Sequence, residues 1–460
     1  MDFVNRSSEL ASLEAWFGRQ PARIAMVWGR RRVGKTALIQ RFAEDRNAIF
    51  HTGAGRTMAG ELAFVSRQAA PLISGTRDLE ARPFVDWDDV LDTLAAEAKD
   101  EPLLLVLDEF PELVGSSPGL PGVLRAFLDR AGSRQKLRIL LCGSAVRTMV
   151  ALQEERAPLY GRFDLALHLQ PFTPAEAALM LPGLKPADRA LVYGLVGGMP
   201  LYLSWWDQRS SVRQNLRRLV CQPGAPLLTE GELVLATEVE AGEHPAAVLH
   251  AIAAGKTRHN KIADQLRTEP ARTLDRLIEL RLVERLLPVT ESARSRKRIY
   301  RMTDNFLSFY LGVISRYRAE IERGLGDSIL PVLLASLDDQ LGPAYEQAFR
   351  DHLRSLAAAG ELEGDVVAIG PWWQDTPPVE IDAVVLTGRS RRPTMVGEAK
   401  WSTALDARRP LADLEEKAVW LVEDPTTLRY AVCARERITK APREVLTVTA
   451  EDIFPTPGAK

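Results

Sequence analysis

Eight residues, Gly29-Arg-Arg-Arg-Val-Gly34-Lys35-Thr36, constrain this chain more than any other stretch in it. The apolar run ARIAMV (22–27) precedes them, and the helical pattern ALIQRFAED follows. A buried strand, a glycine-framed turn and a helix N-terminus in that order make a phosphate cradle. The backbone of Gly29, Arg30, Arg31, Arg32, Val33 and Gly34, continued through Lys35, Thr36 and Ala37, is the candidate binding surface for ATP. In such a cradle Lys35 reaches the terminal phosphates and the Thr36 hydroxyl completes the shell of a Mg²⁺ ion.

A second strand with the matching chemistry lies at LLLVLDE (103–109), five apolar residues ending in Asp108-Glu109. Asp108 is the expected partner of Mg²⁺, and Glu109 the general base that polarises the attacking water. A third strand, LRILLCGS (137–144), ends in Ser144, which reads either as a sensor of the γ-phosphate or as a helix cap. Between the two motif strands lie the apolar run NAIFHT (47–52) and helical patterns at 58–72 and 87–99, room for an extra strand. Together these predict an α/β fold, a P-loop NTPase with a parallel sheet of the type that separates its two motif strands.

Bulk composition narrows the setting. Lys and Arg (59) nearly balance Asp and Glu (61), so only local charge clusters can indicate partners. Three cysteines, Cys142, Cys221 and Cys433, stand far apart and form neither a disulfide framework nor a zinc motif. The N-terminus MDFVNRSSEL has no signal-like pattern and no apolar run approaches a membrane span. A cytoplasmic protein with no membrane partner is the expectation.

After an ATPase core at 1–171, amphipathic helices at 172–240 suit a lid. HPAAVLHAIAAG, NKIADQL and EPARTLDRLIELRLVERLLPV then read as three helices, the last running into a strand, with RSRKRIYRMTD returning. That order predicts a winged helix at 241–305. Between Gly255 and Arg301 stand 13 Lys or Arg against 6 Asp or Glu, a local excess that points to DNA. Arg294, Arg296, Lys297 and Arg298 gather at the wing, whereas Asp275 and Glu279 on the third helix would repel phosphates. A linking helix is expected at 306–327 and a last domain at 328–460.

That last domain carries a second acidic set. VEIDAVVL (379–386) and MVGEAKW (395–401) read as strands, the first bearing Asp382, the second Glu398 and Lys400 on one face. The helical stretch LGPAYEQAFRDHLRSL (341–356) places Glu346 beside its apolar stripe. Such acids can hold a divalent metal while a lysine orients water. The plainer reading is a same-face ion pair of Glu398 with Lys400, worth little by itself.

FVNRSSEL, GRRRVGKT, LDEFPEL, CGS, LYGRFD, LQPFTPAEA and GGMPLYL, in that order, resemble the archaeal-type AAA ATPases of the STAND class of signalling P-loop NTPases. The resemblance implies that Pro200, in Gly198-Met199-Pro200, packs near the nucleotide and couples it to domain arrangement. It likewise implies a nucleotide-linked role for Arg162, and a winged helix that often packs as a switch rather than reading DNA. The order helix–β–β–β–α–β, with Glu346, Asp382 and Glu398-x-Lys400 in place, resembles the PD-(D/E)XK nuclease core. There Asp382 and Glu398 would bind metal, with Glu346 as a further carboxylate and Lys400 on the water. The whole chain then reads as an ATP-dependent switch with a nuclease-like effector acting on DNA, or as a regulatory protein whose nuclease-like domain is inert. The substrate, the trigger, a trans arginine and assembly into a homo-oligomer stay open.

Overall fold

Ile24–Trp28 (β1), Leu103–Asp108 (β3) and Leu137–Gly143 (β4) are buried at every position. Strands covered on both faces need such unbroken apolar runs, and parallel sheets supply that environment. The computed structural model describes residues 3–20, 23–73, 77–98, 101–132, 135–238 and 244–456. It divides into two units, Met1–Pro171 and Phe172–Lys460. The lid–wing boundary expected at 240–241, the start of the first apolar run at 22 and the end of the helical pattern at 99 lie outside the described residues.

In the first unit, Ala48–Thr52 (β2) and Leu165–His168 (β5) complete a five-stranded sheet in the order β2-β3-β4-β1-β5, parallel throughout. A strand does separate the two motif strands, but it is β4; β2 lies at the edge. The burial of β2 alternates, as suits an edge, whereas β4 is buried without a break, Arg138 included. All five strands run the same way, so the glycine loop after β1, Asp108 at the end of β3 and Ser144 after β4 share one sheet edge, where ligands of open α/β sheets bind.

The second unit begins with short helices, among them Pro186–Val196, Pro200–Ser204 and Pro226–Glu238. Helices Pro245–Ala253, His259–Leu266 and Ala271–Glu279 then lead into an antiparallel hairpin, Val283–Leu286 (β6) and Ile299–Met302 (β7). The hairpin is tied back to the turn between the first two of these helices, where Tyr300 N donates to Thr257 O at 2.7 Å. The single linking helix expected at 306–327 is instead a broken series from Asn305–Gly312 to Ile321–Leu325. Gly324 sits there at φ 89°, in the left-handed region that interrupts a helix.

The 22-residue helix Leu337–Ala358 opens the last part. Val366–Asp375 (β8), Pro378–Thr387 (β9) and Arg392–Lys400 (β10) follow as an antiparallel meander. Ala404–Asp406 (β11) pairs separately with Arg437–Thr439 (β13). Helix Arg408–Ala418 crosses over to Arg429–Ala434 (β12), which lies parallel to β10. A strand missed in the sequence, Leu446–Thr449 (β14), closes the edge in the order β14-β12-β10-β9-β8. Tyr345, Phe349 and Leu353 of the long helix pack on one sheet face with Ala383, Val385 and Ala399. Leu414 and Ala418 of the crossover helix pack on the other with Val384, Leu386 and Val396.

Candidate functional site

The loop after β1 is built around a close approach. A side chain at Gly29 would put its Cβ 2.4 Å from Leu169 O, so only glycine lets the loop leave the sheet there. Gly34, at φ 92°, turns the chain into helix Lys35–Ala43. Lys35 is 6 % exposed, and its Nζ bridges Gly29 O and Arg30 O, each at 3.0 Å. Those carbonyls are neutral, and a phosphate oxygen is a stronger, charge-assisted acceptor for the same ammonium. Val33 and Arg30 are buried, whereas Arg31, Arg32, Thr36 and Ala37 are exposed at the loop's mouth.

Thr36 Oγ1 donates to Asp108 Oδ2 at 3.1 Å, and Asp108 is buried. A hydroxyl and a carboxylate so placed are hard oxygen donors that fit Mg²⁺, and Lys35 with the loop amides fits a polyphosphate. Glu109 follows in the left-handed region, at φ 46°. This turn sends its carboxylate toward β4, where Oε2 accepts from Ser144 N at 3.2 Å and Ser144 Oγ at 2.9 Å. Gly143 makes room for that contact, since a Cβ there would meet Pro111 Cδ at 2.8 Å and Met149 Sδ at 2.6 Å. Ser144 therefore holds Glu109, a geometry neither the sensor nor the cap reading described.

Arg6 was passed over in the sequence. It is 4 % exposed, and its Nη2 donates to Val33 O (3.2 Å) and Gln170 O (2.7 Å) while Nη1 pairs with Glu9 (2.9 Å). It thus fastens the loop to the exit of β5. Nothing local marks it, because both carbonyls are distant in sequence. Arg162 requires a correction. Its guanidinium pairs with Asp129 at 2.9 Å, and it precedes β5, whose neighbour Asp164 accepts from Ile24 N at the start of β1. It lies at the sheet edge opposite the glycine loop, so it does not reach a nucleotide bound by its own loop. Pro200 opens helix Pro200–Ser204 in the second unit, just after Gly198, whose carbonyl accepts from Phe172 N at 2.8 Å.

The second acidic set lies wholly in the second unit. Asp382 Oδ2 accepts from Ala399 N at 2.8 Å, and Asp382 O from Arg350 Nη1 at 2.7 Å. Burial, and then the Glu398 carboxylate, push the Asp382 carboxyl up to about 6. Burial, and then Asp382, push Glu346 up to about 7. Glu398 and Lys400 do share a face, with Lys400 Nζ 2.6 Å from Glu398 Oε1. Lys417, unanticipated, reaches both Glu398 oxygens at 3.0 Å from the crossover helix. Its signal was there: Leu411, Leu414 and Ala418 form that helix's buried stripe, and Lys417 borders it. Among the described residues no group of three or more His, Cys, Asp or Glu is close enough to hold a metal ion. The charge facing Glu398 is that of two ammonium groups, and the three acids do not form a cage.

At the wing, Lys297 Nζ pairs with Glu291 at 2.8 Å, within the hairpin's own loop. Arg294 and Arg296 are exposed and Arg298 is half-buried. On the third helix Asp275 accepts from Arg285 at 2.7 Å.

A parallel sheet, a glycine loop entering a helix and an acid closing on that helix's threonine define a P-loop nucleotide-binding unit. Residues 3–205 match the model of an ATPase domain found predominantly in Archaea. That part of the chain is an archaeal-type P-loop ATPase domain. The match runs past Pro171 and takes in Gly198-Met199-Pro200. Residues 310–412 match a family of archaeal and bacterial proteins of unknown function. An uncharacterized protein of Methanocaldococcus jannaschii is 25% identical over 461 residues, spanning 98% of this chain and 99% of its own. An uncharacterized ATP-binding protein of the same organism is 48% identical over 44 residues, 10% of this chain and 75% of its own. Among solved structures, the Walker-type ATPase of Pyrococcus abyssi has a TM-score of 0.54 at 20% identity, covering 67% of this chain and 96% of its own. That likeness is one of fold. No helix among the described residues is long and apolar enough to cross a membrane.

Proposed function

We propose that this protein is a Mg²⁺-dependent ATP-hydrolysing switch of the STAND type whose second unit carries a winged helix and a nuclease-like fold acting on DNA. The observation that carries the ATPase half is the Thr36–Asp108 contact at 3.1 Å beside the buried Lys35. Bound Mg²⁺ would supply charge neutralisation at the phosphates. Lys35 leaves its two loop carbonyls for phosphate oxygens, the loop amides donate to the remainder, and Glu109 takes the proton of the attacking water. Ser144 holds that carboxylate to one side of the sheet edge. The test is phosphate release by the purified protein. Lys35→Ala should lose ATP binding, and Glu109→Gln should bind ATP yet turn over at least 100-fold more slowly, within the range of a lost general base. Wild-type turnover in Glu109→Gln would assign the base elsewhere.

For the second unit, the order of helix, three antiparallel strands, crossover helix and parallel strand supports the nuclease-like reading, as do Asp382 within β9 and Glu398 and Lys400 toward the end of β10. The double lysine clasp on Glu398 favours the second reading, in which this fold is inert and serves regulation or binding. Degradation of linear and plasmid DNA in Mg²⁺ or Mn²⁺, abolished by Asp382→Ala with ATP hydrolysis retained, decides for the first. No cleavage by the wild type decides for the second.

A further inference from the structure

The second unit holds a cavity of about 490 Å³ at the root of the β6–β7 hairpin. Arg258, Asp275, Arg285, Arg296, Arg298 and Tyr300 are among the residues that line it. Four guanidinium groups thus face a space with one acid in its wall, and that acid, Asp275, is already taken by Arg285 at 2.7 Å. Arg285 also lies 6.0 Å over the ring of Tyr300, which is 2 % exposed, so this wall is fixed. Arg258 is paired with Asp375 at the end of β8. Arg296 and Arg298 differ from both: among the described residues neither has an ion pair or a side-chain hydrogen bond. Two unpaired guanidinium groups beside two braced ones leave a concave surface with positive charge in excess. Its chemical complement is a phosphate, which the planar guanidinium fork binds better than any other side chain.

We propose that this cavity seats a backbone phosphodiester of nucleic acid, with Arg296 and Arg298 as its direct contacts. The proposal rests on the reading of the three helices and hairpin as a DNA-facing element. It narrows the contact from the whole basic cluster of the wing to Arg296 and Arg298, because Lys297 between them is paired with Glu291. The cavity would then fix register on a duplex without reading its bases.

The experiment uses the full chain and a fluorescein-labelled 20-base-pair duplex, titrated by anisotropy across salt concentrations. Arg296→Ala with Arg298→Ala should weaken binding about tenfold or more, and should flatten the log–log salt dependence by about 0.9, the share of the one phosphate lost. Arg294→Ala with Lys297→Ala should leave the slope unchanged to within about half of one contact. Arg298→Lys, which keeps the charge without the fork, should restore most of the slope. Equal slopes for the variant lacking Arg296 and Arg298 and the wild type would overturn the cavity as the seat while leaving DNA binding intact. A wild type that binds no duplex would overturn the DNA-facing reading and this proposal together. Binding of AMP or inorganic phosphate that depends on Arg296 and Arg298, with duplex binding unaffected by their loss, would assign the cavity to a free anion instead.

Discussion

Replacing Asp382 by Asn should stabilise the second unit at pH 7.5 and leave it nearly unchanged at about pH 3.5, below the window in which the folded and unfolded carboxyls differ. Asp382 is 9 % exposed, and burial, with Glu398 beside it, raises its carboxyl from 3.8 to about 6. Between those values the folded chain keeps a proton that the unfolded chain has released, so stability falls as the pH rises through that window. At about 1.4 kcal/mol for each pH unit of the interval, the cost above pH 6 is about 3 kcal/mol as an upper bound. Asn keeps an oxygen for Ala399 N, which now donates to Asp382 Oδ2 at 2.8 Å, so the replacement removes the charge without orphaning the amide. It also lifts the pressure on Glu346, which Asp382 helps to raise. A gain of about 1–3 kcal/mol at pH 7.5 is therefore expected. The assay is urea unfolding in EDTA at both pH values, followed by tryptophan fluorescence, with Trp372 and Trp373 on β8 as reporters within the same sheet. A loss of stability at pH 7.5, or an equal change at both pH values, would show that the buried charge is compensated and the reasoning wrong.

Ser144→Ala removes the 2.9 Å bond to Glu109 and leaves the backbone N–H in place. It should lower kcat for ATP about 5- to 30-fold with little change in KM, as a positioning contact of about 1–2 kcal/mol predicts; a change in KM alone would make Ser144 a binding residue. Arg6→Ala strands the carbonyls of Val33 and Gln170, so it should destabilise the first unit by about 2–4 kcal/mol and weaken ATP binding, with Arg6→Lys recovering only part because one ammonium cannot reproduce the fork. Calorimetric melting with and without ATP checks both. At pH 7.5 Lys417→Ala should cost more stability than Lys400→Ala, about 1–3 kcal/mol, because Lys417 makes two bonds to a buried carboxylate and is the less exposed of the two. The reverse order in urea midpoints would mean that Lys400 is the principal counter-charge.

The parts legible in the sequence were those whose chemistry is contiguous. Gly29 to Thr36 encode a turn, its helix and its charge within eight residues, and Asp108 ends an unmistakable strand. The difference between edge and centre was also written there: β2 alternates in burial while β4 does not, though reading it requires comparing two strands at once. Arg162 misled because a motif says nothing about which sheet edge its residue occupies; that follows from the pairing of β5 with β1. Arg6 acts on carbonyls remote in the chain and carries no local mark of it, whereas Lys417 is marked as bordering its helix's buried stripe but its partner Glu398 is not. β14 was missed because its four residues, LTVT, bury only one side chain and sit at an edge.

The connection from β10 to β12 has a bearing on when the acidic site comes into being. Parallel neighbours cannot be joined by a tight turn, so the chain must travel over the sheet and back, and helix Arg408–Ala418 is that journey. Lys417 rides near its end. The pairing of Glu398 with Lys417 cannot form in a nascent chain that has made only the meander β8–β9–β10, however complete that meander is. Long-range connections of this kind close late and slowly. Glu398 is therefore born without its full counter-charge, and receives it only when the crossover helix docks on the meander. The Glu398–Lys417 contact thus reports that the crossover helix has docked on the sheet.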